Sequence, residues 1–300
     1  MGLLTFDIID RCNLACPSCY HGLYGGTKQV MSLEDCKNIL DHCTKRLGVT
    51  ELEAYNWGEP LLCDQLGDFI TLFSRYKDLK IYLSSNMNRE IDDELVKKIL
   101  RNVHAFRFSA SGFCQKTYGQ YHRGGSFNKV LANIRSFLRM RSSVDNGAIL
   151  EWAYGITKTN RKDLDKAKQF CAQNTIDFKP LRYLVTPVSN VYKIYLGKRI
   201  DPKIYNLFYS SQDEARADIV SNLTPNHCQL IRHVVTDCRG RVMTCCADKI
   251  ILGEHISEVP SIDRLIKIRL ENDFCRTCYR LGLSGYYNFD PGCLSAACAS

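Results

Sequence analysis

Apolar and polar positions switch between two periods along this chain. An apolar run at 3–9 reads as a strand, and from 32 onward hydrophobic residues recur at three and four positions. Ser32 begins the first such stretch, with Asp35 three residues on as a variant of the capping box. Cys36, Ile39, Leu40, Cys43 and Leu47 then fall on one helix face, and Gly48 ends it. That face makes Cys36 and Cys43 core residues. The alternation continues, with strands expected at 51–56, 80–85, 103–110, 148–156 and 176–185, and helices at 64–76, 92–101, 126–140 and 160–171. Strands alternating with helices imply parallel βαβ units of one hand. Six units suit an open α/β barrel, a partial (β/α)6 TIM barrel, and chemistry in such barrels gathers at the C-terminal ends of the strands.

Those strand ends carry unusual residues. After the first strand come Cys12, Cys16 and Cys19 at C-x3-C-x2-C spacing, followed by Tyr20. Three thiolates from one loop leave one corner of an iron–sulfur cubane open, since such clusters ordinarily take four cysteines. A zinc knuckle is the alternative, although zinc sites favour C-x2-C pairs in fours. After the second strand stands Trp57-Gly58-Glu59-Pro60; the third ends in Ser84-Ser85-Asn86 and the fourth in Ser109-Ala110-Ser111-Gly112. Small polar residues here serve equally as helix caps. Arg123, just before the helix at 126, suits either a carboxylate clamp or a solvated surface. His122 reads as a loop histidine or a functional one, and Cys114 and Cys171 as ordinary thiols.

Cys12, Cys16, Cys19 and Tyr20, with Gly58-Glu59-Pro60 at the next strand end, resemble the radical S-adenosylmethionine (SAM) superfamily. The resemblance implies that the three cysteines hold a [4Fe–4S] cluster whose open iron is chelated by SAM. It also implies that reduction cleaves SAM to a 5′-deoxyadenosyl radical, which abstracts a hydrogen atom from substrate. Gly58, Glu59 and Pro60 match the family's G-G-E-P motif, with Trp57 in place of its first glycine. They would bind the SAM amino group, while Asn86 and Ser109 would contact its ribose and carboxylate; Tyr20 and Arg123 complete the expected cofactor-binding set.

A second constellation lies at 226–280: Cys228, then Gly240 with Cys245 five positions on and Cys246 beside it, a helix at 261–270, and Cys275-x2-Cys278. This resembles the twitch domain, a short relative of the SPASM domain, and implies an auxiliary [4Fe–4S] cluster on Cys228, Cys245, Cys275 and Cys278. An all-cysteine zinc site has the same spacing, and either Cys245 or Cys246 could be the ligand. Ser284 stands where a full SPASM domain would continue with cysteine, so one auxiliary cluster is expected; Cys238, Cys293 and Cys298 receive no role. If Cys245 faces the cluster on an extended strand, Cys246 faces away, as a hydrogen-atom donor or as a buried small hydrophobe. Residues 1–185 are thus expected to form the barrel, 186–225 an aromatic-rich connector packed around a short helix, 226–280 the auxiliary-cluster domain and 281–300 a tail.

Composition narrows the classes. The chain has 300 residues, 45% hydrophobic, and no apolar run of transmembrane length. Sixteen cysteines without an export signal favour metal or catalysis over disulfides and a reducing cytoplasm as the compartment. A formal charge of +8 is spread among acidic residues, which argues against nucleic acid. The segment at 111–125 resembles twitch-containing enzymes that tailor sugars and aminoglycosides. The expected activity is therefore epimerisation of such a substrate, with Cys246 as hydrogen donor and a flavodoxin or ferredoxin as electron source. The alternatives are dehydrogenation of an alcohol through the auxiliary cluster and peptide modification. A leader-binding domain is not expected, because the barrel begins at residue 3. A cluster protein for electron transfer alone is disfavoured, since it needs no open iron.

Overall fold

The computed structural model describes residues 2–145, 147–182 and 184–287. The first half alternates as the pattern predicts: β1 (Gly2–Phe6), α1 (Tyr20–Tyr24), α2 (Leu33–Arg46), β2 (Val49–Glu53), α3 (Leu66–Phe73), β3 (Lys80–Ser85), α4 (Asp93–Asn102), β4 (Ala105–Ser109), α5 (Gln115–Tyr121), α6 (Phe127–Arg141), β5 (Ile149–Ile156), α7 (Leu164–Gln173) and β6 (Asp177–Arg182). The connector holds α8 (Val188–Tyr195) and α9 (Gln212–Ser221), and the C-terminal part β7 (Val234–Thr236), β8 (Arg241–Cys245), β9 (Asp248–His255), α10 (Ile262–Glu271) and α11 (Asp273–Leu281). Strands β1 to β6 pair in parallel in chain order, the partial barrel. No described helix is long and apolar enough to cross a membrane.

β1 is an inner strand. Its other edge pairs in parallel with β7, to which β8 and then β9 are added antiparallel, so the C-terminal segment extends the barrel's own sheet. The strand expected at 3–9 ends at Phe6, because Asp7 leaves the ladder to accept three amides from the next loop.

Alternation sorts each strand's side chains between two environments. Leu4, Phe6, Leu52, Ile81, Leu83, Phe106, Phe108, Leu150 and Trp152 pack outward under the helices, where Cys36 and Cys43 also lie fully buried. The intervening positions form a polar lumen of Thr5, Glu51, Glu53, Arg107 and Glu151. A second core joins Leu3, the 186–225 segment and the C-terminal segment through Val191, Ile194, Ile219, Leu230 and Tyr286.

Candidate active site

Cys12, Cys16 and Cys19 lie in the loop after β1. Together with Gly58, Glu59, Asn86 and Ser109 they line a cavity of about 150 Å3 at the C-terminal ends of the strands. The loop is pinned from several sides. Ala15 N donates to Arg123 O (3.0 Å), Cys19 N to Cys16 O (3.2 Å) and Glu59 N to Arg11 O (2.8 Å). The Asn86 amide donates to Asn13 Oδ1 (2.9 Å) and approaches Cys12 Sγ at 3.6 Å.

Gly58 is required by this crossing. A Cβ there would lie 1.9 Å from Ile9 O, so only glycine lets the second loop press against the first. The Asp7 carboxylate holds the same turn, accepting from Asn56 N (2.9 Å), Trp57 N (3.0 Å) and Gly58 N (2.8 Å). Glu59 is buried and accepts from Leu61 N (3.0 Å) and Asn86 N (2.7 Å); burial lifts its carboxyl to about 6. Pro60 opens the short 3-10 turn behind it and does not line the cavity.

The surroundings of the three thiols oppose their ionisation. Burial, then Glu59, pushes Cys12 up to about 12, and burial with Cys19 and Cys12 as neighbours raises Cys16 well above its ordinary range. Thiols this resistant to ionisation become thiolates only against a positive centre. The sequence alone admits two readings of His122. It is buried beside this group, its Nδ1 is 3.8 Å from Cys16 Sγ, and its Nε2 has no hydrogen-bond partner among the described residues. Burial alone lowers its pKa to about 3, so the ring is neutral.

Two expected cofactor residues stand apart. Tyr20 packs on Trp57 (ring centroids 5.8 Å) and under Lys249 Nζ (5.5 Å), facing a different cavity of about 520 Å3 beside Asp10. Arg123 is exposed, and it is the backbone carbonyl that supports the cysteine loop. Asn56, not singled out in the sequence, lines the cavity of the three thiols. With its amide oriented to satisfy both neighbours, it donates to Cys246 O (3.2 Å) and accepts from Trp57 Nε1 (3.1 Å).

Cys228, Cys245, Cys275 and Cys278 also converge. All four line one pocket together with Thr244, Arg269 and Ser284. Burial, then Cys228 and Cys275, pushes Cys245 up to about 12, and burial raises Cys275 to about 11. Cys275 and Cys278 fall on one face of the first turns of α11, where the positive end of the helix favours thiolate. Cys245 ends β8 and Cys246 sits in the turn that follows; Cys246 is not among the residues lining the pocket. Cys238 is buried elsewhere, against the cavity containing Tyr20, and Cys293 and Cys298 lie outside the described residues.

Solved structures resemble the fold of this chain. A structure of anSMEcpe with bound AdoMet and a Cp18Cys peptide superimposes with a TM-score of 0.58 at 16% identity, covering 94% of this chain and 88% of that one. Streptococcus suis SuiB bound to precursor peptide SuiA gives 0.62 at 13% identity, with coverages of 95% and 70%. BtrN in complex with AdoMet and 2-DOIA gives 0.48 at 13% identity, with 98% and 91% covered. No curated protein matches the chain. The family profile described as "Radical SAM superfamily" matches residues 6–167, more than half of the sequence. This chain belongs to the radical SAM superfamily.

Proposed function

We propose that this enzyme inverts a carbon centre of a small polar substrate of the sugar or aminoglycoside kind, with Cys246 as the hydrogen-atom donor. Membership of the superfamily implies a [4Fe–4S] cluster and SAM, which when bound supply a 5′-deoxyadenosyl radical. Cys12, Cys16 and Cys19 would hold the cluster; Gly58, Glu59, Asn86 and Ser109 would hold SAM. An auxiliary cluster on Cys228, Cys245, Cys275 and Cys278 belongs to the same proposal.

The observation that carries this reading is what the cavity opens onto. Its wall includes Tyr55, Ser84 and Ser109, and Tyr55 leads into a hydrogen-bonded chain of lumen side chains. Tyr55 Oη donates to Glu53 Oε1 (3.1 Å) and accepts from Arg107 (3.1 Å), while Arg107 also donates to Glu151 (2.9 Å). Thr5 Oγ1 donates to Glu53 Oε2 (3.0 Å). Such a wall offers hydroxyl groups and polar side chains to a substrate bearing hydroxyl and amine groups.

Asn56, which lines the cavity, donates to the backbone carbonyl of Cys246, and this neighbourhood supports the donor role proposed for its thiol. The substrate carbon gives up one hydrogen atom to the deoxyadenosyl group and takes one from the Cys246 S–H, so the substrate is neither oxidised nor reduced. The sulfur radical left behind needs one electron and one proton to restore the thiol. A flavodoxin- or ferredoxin-class donor is the expected electron source. The second reading, peptide modification, draws on two fold relatives whose structures contain peptides.

The test is reconstituted, reduced enzyme with SAM and a panel of aminoglycosides in D2O. The expected product carries deuterium at the inverted carbon and has lost no hydrogen, and Cys246→Ala forms 5′-deoxyadenosine without epimer. A product lacking two hydrogens would replace inversion with dehydrogenation. Turnover of a peptide alone would favour the second reading.

A further inference from the structure

Arg269 on α10 is fully buried and has no carboxylate partner among the described residues. Its terminal nitrogens donate to three backbone carbonyls, Leu230 O (3.1 Å), Ile231 O (2.7 Å) and Met243 O (3.2 Å). These dipoles leave the full charge uncompensated, and an unpaired buried charge is strongly unfavourable. Its Nε has no partner among the described residues, and neither does the hydroxyl of Thr244, which is 2% exposed. Both side chains line the pocket of Cys228, Cys245, Cys275 and Cys278. Apart from the Ser284 hydroxyl and the phenols of Tyr279 and Tyr287, the other polar side-chain atoms lining this pocket are the sulfurs.

We propose that Arg269 is the counter-ion, and Thr244 a hydrogen-bond donor, to a dianionic thiolate-ligated metal centre on these four cysteines. The proposal rests on the auxiliary-site reading above and deepens it. Four thiolates around a dication leave a double negative charge, whether the dication is zinc or a [4Fe–4S] core, and one buried guanidinium offsets half of it. The burial of Arg269 is thereby explained by the centre, and the centre is made easier to reduce by its neighbours, because nearby positive charge and donors to sulfur raise a cluster's potential. Burial lowers the pKa of the guanidinium, and Cys245, Cys275, Cys228 and Cys246 oppose that shift.

The experiment uses the full chain with Cys12→Ala, Cys16→Ala and Cys19→Ala, so that only the C-terminal centre is loaded with iron and sulfide or with zinc. Metal content, loss of metal to a chelator and, for iron, the midpoint potential are measured. The parent is expected to hold about four irons or one zinc. Arg269→Met should lose metal about tenfold faster and, where iron is held, show a lower midpoint; Arg269→Lys should restore both in part. Thr244→Val, a near-isosteric change, should lower the midpoint without unfolding the chain, and it decides the case where Arg269→Met fails to fold. A parent without metal would overturn the auxiliary-site reading itself. A loaded parent whose Arg269→Met and Thr244→Val forms match it in retention and midpoint would overturn the counter-ion proposal alone.

Discussion

Asp7 concentrates the residue-scale logic of the site. Its carboxylate is nearly inaccessible and takes three amides of the loop carrying Gly58 and Glu59. Burial raises its pKa, opposed by the amides of Gly58 and Trp57 and by His21 and Lys249. Asp7→Asn keeps an acceptor for the three amides but removes its charge and turns an NH2 group toward Trp57 N, which also meets Oδ2 at 3.2 Å. Hydrogen bonds to a charged acceptor are worth about 1.5–3 kcal/mol each, so a loss of about 3 kcal/mol is expected in denaturant unfolding of the cluster-free protein. SAM binding by the reconstituted protein should weaken in parallel. Wild-type stability in Asp7→Asn would show that the three amides find other partners. Gly58→Ala should lose SAM binding more sharply, since its methyl group has nowhere to go.

Among the elements, α11 delivers two of the four C-terminal thiols. Its N-cap is Asn272, whose Oδ1 accepts from Cys275 N (3.0 Å), so cap and candidate ligand are fixed by one hydrogen bond. Asn272→Ala should cost about 1 kcal/mol in unfolding and hasten metal loss from the C-terminal site; unchanged metal retention would detach the cap from the site. This helix shows where the sequence stops being legible. The helices on the barrel's outside announced themselves through a full apolar face, as in α2 and α6. α11 has no fully buried residue, and α5 hides among Gln, Lys and Thr with only Thr117, Tyr118 and Tyr121 turned inward. The cysteines and Gly58-Glu59-Pro60 were readable because their chemistry requires those residue types at fixed spacing. Asp7, Asn56 and His122 were not, because each matters through a neighbour about fifty or more positions away. The lumen was half visible: alternating Glu51, Glu53 and Tyr55 also fits a strand with one wet face.

At the scale of the whole molecule, barrel and C-terminal segment share one sheet, because β1 lies between β2 and β7. A further tie runs beside that pairing, where His233 Nε2 lies 2.8 Å from Thr5 Oγ1. His233 is buried, and burial, then Arg269, lowers its pKa to about 3. The sign of the linkage follows: above about pH 6.5 the ring is neutral folded or unfolded, and it adds no pH dependence. Below that, the unfolded chain binds a proton that the fold refuses, and stability falls as pH drops toward 3, by up to about 1.4 kcal/mol per pH unit. His233→Gln keeps a polar partner for Thr5 and removes the titration. Between pH 6 and 5 its unfolding free energy should therefore fall less steeply than the parent's, by about that amount per unit. Tryptophan fluorescence reads this across the molecule, since Trp57 and Trp152 both lie in the barrel half. If the C-terminal segment unfolded independently, the substitution would leave the tryptophan-reported slope unchanged. A shallower slope would mean that protonating a histidine in the C-terminal segment destabilises strands on the far side of the sheet, as one cooperative unit requires.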